Sequence, residues 1–154
     1  MANRSGIRRI VVGVDGSAQS AAALRYAVDM AKRMGSQITA VYAVNLSIYH
    51  ASEFGVLFEP DPDWRVPMRM EFENKWCKPL TASGLRYRTV MEDGRPASVI
   101  AAVAERENAD LVVVGRRGRG GVAELLLGSV SHELVLNSKR PVLLVSQGKP
   151  SGPR

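Results

Sequence analysis

Apolar residues in this chain gather in short runs separated by longer amphipathic stretches. Ile10-Val11-Val12-Gly13-Val14 is a β-branched run without alternation, the pattern of a strand buried on both faces. Residues 38–44, 110–115 and 141–145 repeat it. Residues 85–91 instead alternate polar and apolar, as an edge strand with one wet face does. Between these runs the period becomes helical. After Ser17, a good N-cap, a stripe of Leu24, Ala27, Val28, Ala31 and Met34 predicts a helix that Gly35 would stop. Residues 45–64, broken by Gly55, Pro60 and Pro62, are expected to be irregular. A second helix is predicted over about 66–83, and Pro79 should kink or end it. Pro96 opens a third, with Val99, Ile100, Val103 and Ala104 as its stripe, and a fourth covers about 129–138.

Strict alternation of strands and helices implies an α/β fold, an open five-stranded parallel sheet with helices on both faces and right-handed crossovers. Such Rossmann-like sheets bind ligands beyond the carboxyl ends of the strands, where the strand order reverses. With the order 3-2-1-4-5, the reversal falls between the first and fourth strands. The residues just past those strands are Asp15 and Gly115. No internal repeat or second core is evident. Residues 1–147 read as one domain, and the Gly/Pro/Ser-rich residues 148–154 as a flexible tail.

The formal net charge is +6, which admits nucleic acid, anionic lipid or a phosphorylated ligand. The basic residues are dispersed, and their tightest set, Arg116, Arg117 and Arg119, lies inside a glycine-rich segment. That placement favours a phosphate ligand over a polynucleotide surface, and Trp64, Phe72 and Trp76 look like packing residues. A single cysteine, Cys77, gives no internal disulfide and reads as a small half-buried helix residue. The amino terminus has no apolar signal segment and no run is long enough to span a bilayer, so a cytoplasmic protein is expected. Neither a metal-binding cluster nor a nucleophile–base pair can be picked out. His50 and His132 stand apart, and the acids at 59, 61 and 63 lack the glycine and glutamate of a calcium loop.

The glycine-rich segment carries the chemistry. From Gly115 to Ser131 a strand passes into a loop and then into a helix start. Glycines let backbone approach a ligand closely or adopt positive φ, and the free N–H groups opening the last helix attract an anion. Ser129 and Ser131 add hydroxyls. No Lys-Ser or Lys-Thr follows the glycines, so this is not a P-loop. Gly118-x-Gly120-x-x-Ala123 matches a loose dinucleotide fingerprint, but it follows the fourth strand and no acid stands where a ribose would need one.

The spacing Gly115-x2-Gly118-x9-Gly128-Ser129 resembles the ATP-binding signature of universal stress proteins. The resemblance extends over Ile10 with Asp15 and Ser17, over 109–115, and over the last helix start and last strand. It implies ATP, with or without Mg²⁺, bound at the strand ends. Asp15 would sit near adenine or ribose with Val14 beside it, and Val41 would line the base pocket. Gly115 and Gly118 would pass close to ribose and phosphates, and Gly128, Ser129, Val130 and Ser131 would hold phosphates through N–H and hydroxyl groups. Arg117 is a further candidate phosphate contact. The resemblance also implies a homodimer, and the apolar strand at Val142–Val145 is a poor exposed edge that a second chain would cover. The function implied is a nucleotide-dependent stress-response module acting through a regulatory protein partner. A slow ATPase or phosphotransferase on the same site, or a binder of another adenine nucleotide such as cyclic AMP, are the alternatives. Arg116 departs from the family pattern, which has a small residue there.

Overall fold

The computed structural model describes residues 6–45, 63–118 and 126–147. Five strands, β1 (Arg9–Gly13), β2 (Gln37–Val44), β3 (Tyr87–Asp93), β4 (Leu111–Gly115) and β5 (Val142–Val145), form one parallel sheet in the order β3-β2-β1-β4-β5. The reversal of order therefore lies between β1 and β4, as expected. Val11 is the register point, paired with Thr39 of β2 and Val112 of β4.

The sheet is buried on both sides because its central strands carry apolar residues at consecutive positions. Ile10, Val12 and Val14 face one way with Ile38, Ala40 and Val44, against Ala23, Leu24, Ala27, Val28 and Ala31 of α1 (Ala18–Met34). Val11, Val41, Val112 and Val114 face the other way. They pack on Val99, Ile100 and Val103 of α4 (Pro96–Arg106) and on Leu134 of α5 (Ser129–Asn137). Burial of these side chains from water is the main favourable term holding the layers together. β3 lies at the sheet edge but does not show one wet face: Met91 is buried, Arg88 and Asp93 are exposed and the other four residues are half-buried, because Val90 packs on the cluster opposite to that of Met91.

The ends of α1 follow the sequence signals. The Ser17 side chain accepts from the Ser20 N–H, and Gly35 terminates the helix in the left-handed region at φ 69°. Met34, placed in the buried stripe by periodicity, is 53% exposed, since it sits in the last turn where the helix leaves the sheet.

The stretch predicted as one kinked helix is three pieces. They are α2 (Arg65–Glu71), a π-helical turn (Phe72–Trp76), and a short α3 (Lys78–Thr81) with Pro79 in its first turn. Proline there removes no helical hydrogen bond, and the wide turn before it avoids a clash with the preceding carbonyls. The same turn drives Phe72 and Cys77 fully into the core. Tyr42 meets the Trp76 ring edge-on at 4.9 Å between centroids and Phe72 at 5.7 Å. Cys77 is thus completely buried, not half-buried as its sequence neighbourhood suggested. Its thiol is pushed up to about 12 by desolvation, with a smaller contribution from the Glu73 carboxylate.

Among the described residues no helix is long and apolar enough to cross a membrane. The irregular segment predicted at 45–64 falls largely outside the described residues, as do Arg119 and the carboxy-terminal tail.

Candidate functional site

A cavity of about 680 Å³ opens at the carboxyl ends of β1, β2 and β4, on the side covered by α4 and α5. Val14, Asp15, Val41, Gly115, Arg117, Gly118, Gly128, Ser129, Val130 and Ser131 all line it. These residues come from four separate stretches of chain, and the strand reversal is what brings them together. β1 and β4 diverge toward opposite crossovers there, leaving a crevice that no connection fills.

The floor exists because Gly13 has no side chain. A Cβ there would lie 2.7 Å from Ile100 Cδ1 and 3.0 Å from Val114 Cγ1. Beyond it the chain turns sharply. Asp15 Oδ1 accepts from the Ser17 N–H at 2.9 Å, and the Asp15 N–H donates to Ser20 Oγ at 3.3 Å. Asp15 therefore has two roles in one geometry, shaping the turn into α1 and standing on the cavity wall.

The glycines of the loop are steric requirements. None of Gly115, Gly118 and Gly128 has positive φ. A Cβ on Gly118 would lie 2.6 Å from Asp15 Oδ2, and one on Gly115 2.9 Å from the Gln19 backbone. One on Gly128 would lie 3.1 Å from Arg117 Cα. Close approach, and not the left-handed backbone that glycine also permits, is what these positions need.

Two hydrogen bonds fold the loop back on itself. The Gly128 N–H donates to the Arg116 carbonyl at 2.9 Å, and Ser131 Oγ, which is buried, donates to the same carbonyl at 2.7 Å. The Ser131 hydroxyl thus helps to close the loop, and it also lies 3.0 Å from the Gly128 carbonyl. The Arg117 N–H is held by Gln19 Oε1 at 2.8 Å, a cross-link from α1 that nothing in the sequence pattern signals.

What remains open is cationic in character. The first intrahelical bond of α5 runs from the His132 N–H to the Gly128 carbonyl, so the N–H groups of Ser129, Val130 and Ser131 have no intrahelical acceptor. Gly128, as N-cap, has no side chain to satisfy them. Arg117 Nε is buried without a hydrogen-bond partner, an expensive arrangement unless an acceptor completes it. A helix amino terminus and an unsatisfied guanidinium nitrogen on one wall make an anion site. Val41, Ala43, Ala97 and Ile100, also in the lining, give an apolar surface suited to a planar ring.

Sequence reasoning missed Asn45, Arg95, Pro96 and Glu133, which also line the cavity. Arg95 and Glu133 form an ion pair at 3.0 Å across the gap between α4 and α5. The Pro96 helix start was legible, but its position over the crevice depends on the crossover. Among the described residues no His/Cys/Asp/Glu cluster capable of holding a metal occurs.

The model of the universal stress protein family matches residues 6–146. The universal stress protein MJ0531 of Methanocaldococcus jannaschii is 32% identical over 142 residues, spanning 92% of this chain and 84% of that protein. The solved universal stress protein UspA from Lactobacillus plantarum superposes with a TM-score of 0.75 at 26% identity, over 92% of this chain and 99% of that one. A universal stress protein solved in complex with cAMP gives 0.66 at 25% identity, over 92% and 98% of the two chains. A family match over nearly the whole length, on a sheet of the expected order, settles the affiliation: the chain belongs to the universal stress protein family.

Proposed function

We propose that the chain is an ATP-binding regulatory module, with adenine toward Val41 and Asp15 and phosphates at the amino terminus of α5. The observation that carries this reading is the composition of one cavity wall. Open amides at Ser129, Val130 and Ser131 and the partnerless Arg117 Nε share a cavity of about 680 Å³ with apolar lining residues. That volume lies within the usual range for small-molecule sites, roughly 300–1,000 Å³. Bound ATP supplies a polyanion; Arg117 and the α5 amides bind and orient it, and Gly118 lets the backbone come close. Ligation would alter the surface offered to a protein partner.

The test is to purify the protein without added nucleotide, denature it with heat and identify what is released by chromatography. A near-stoichiometric ATP peak, lost in Gly128→Ala, is the expected result. Nothing released, together with no binding of ATP or cyclic AMP in titration, overturns the reading. Cyclic AMP is the second reading, favoured by the solved relative that holds it, and the same titration ranks the two ligands. Phosphate release with Mg²⁺, absent at stoichiometric protein, separates a binding module from a slow ATPase.

The dimer belongs to the same proposal. All four residues of β5 are only half-buried in the single chain. A second chain along that edge would cover them and its unpaired backbone groups. A sedimentation profile that stays monomeric at every concentration refutes it.

A further inference from the structure

The ion pair between Arg95 and Glu133 lies on the cavity wall itself, and its position has a consequence for ligand charge. Glu133 stands four residues after Ser129, on the same face of α5, about one helical turn along. Both residues line the cavity. A carboxylate is thus set one turn beyond the amides that offer the site its positive end, where it opposes an incoming anion. Arg95, the N-cap residue of α4, reaches across from the other helix and donates from Nη2 to Glu133 Oε2 at 3.0 Å. Its guanidinium cancels the unfavourable charge. The two other charged lining residues, Asp15 and Arg117, lie on the β1 and β4 loops.

We infer that Arg95 is a specificity-determining residue: by neutralising Glu133 it sets how much negative charge the cavity accepts, and so favours nucleotides with longer phosphate chains. This rests on the nucleotide reading of the site. The reason is Coulombic. The repulsion by an unmasked Glu133 grows with the charge on the ligand, so it weighs most on a triphosphate, less on a cyclic monophosphate, and not at all on adenosine. Arg95 is 73% exposed at its side chain, so solvent screens the effect and makes it salt-dependent.

The experiment is calorimetric titration of ATP, cyclic AMP and adenosine into wild-type protein, Arg95→Ala, Arg95→Lys and Arg95→Ala/Glu133→Gln at low and moderate salt. In Arg95→Ala, ATP affinity is expected to fall about tenfold and adenosine affinity less than about twofold, with cyclic AMP between them. Arg95→Lys keeps most of the ATP affinity, and Arg95→Ala/Glu133→Gln restores it, because the charge that Arg95 masks is gone. A purely structural tie between α4 and α5 would lower all three affinities together, and the double variant would not recover; either result overturns the inference. Thermal melting of each variant confirms that it is folded. A wild-type protein that binds none of the three ligands defeats the nucleotide reading itself. Wild-type binding with parallel losses defeats only the role of Arg95.

Discussion

Replacing Gly118 by Ala tests whether the glycine is there for contact distance. Its φ is not positive, so alanine brings no backbone strain. The added methyl would sit 2.6 Å from Asp15 Oδ2, against 3.4 Å for the near limit of ordinary contact. Something must move, and the movable group is the Asp15 carboxylate. It is held by the Ser17 N–H at 2.9 Å, at the turn that starts α1. Rotating it away breaks a charge-assisted hydrogen bond worth about 1.5–3 kcal/mol. Gly118→Ala should therefore cost up to about 2 kcal/mol in urea unfolding and lower nucleotide affinity by at least about tenfold. The decisive comparison is the same substitution in an Asp15→Ala background. There the methyl has nothing to displace, and its cost should drop to a few tenths of a kcal/mol, giving a coupling of about 1–2 kcal/mol in the four-protein cycle. Additive costs, with Gly118→Ala equally harmful in both backgrounds, would refute the steric argument.

Two further outcomes follow from buried groups. Ser131→Ala removes the 2.7 Å bond to the Arg116 carbonyl, while the Gly128 N–H still satisfies that oxygen. It should cost about 1 kcal/mol in urea unfolding and weaken nucleotide binding without abolishing it, whereas a complete loss of binding would mean that the hydroxyl contacts the ligand directly. Cys77 should resist a thiol-specific disulfide reagent at pH 8 while the protein is folded, since its thiol holds its proton well above the ordinary value of 9.0. The unfolded chain releases that proton first, so stability falls as pH rises from about 9 toward about 12, by at most about 1.4 kcal/mol per pH unit. Rapid stoichiometric labelling of native protein, or an unchanged pH slope in Cys77→Ser, would contradict the burial argument.

What the chain alone determined is local or periodic. Consecutive β-branched residues at Ile10-Val11-Val12 fit a strand covered on both faces, and the alternation of such runs with helical stretches made a parallel sheet legible without any contact being known. Ser17 and Gly35 bounded α1 because capping depends on a few adjacent residues. The spacing of Gly115, Gly118, Gly128 and Ser129 marked the cavity because glycine and serine at a helix start report on backbone chemistry. Where a residue's contacts depended on a distant partner, the pattern was silent. Gln19 holds the Arg117 amide across 98 residues, and Ser131 gives its hydroxyl to Arg116. Arg95 and Glu133, each an ordinary surface charge in the sequence, become one ion pair on the cavity wall. The π-turn ahead of Pro79 arises because Phe72 and Cys77 must both reach the core, a demand set by the sheet and α1. Periodicity reports which face of an element is buried; it does not report which two faces meet. That decision belongs to the crossovers, which bring the carboxyl ends of β1 and β4 together and seat the starts of α4 and α5 over the same crevice.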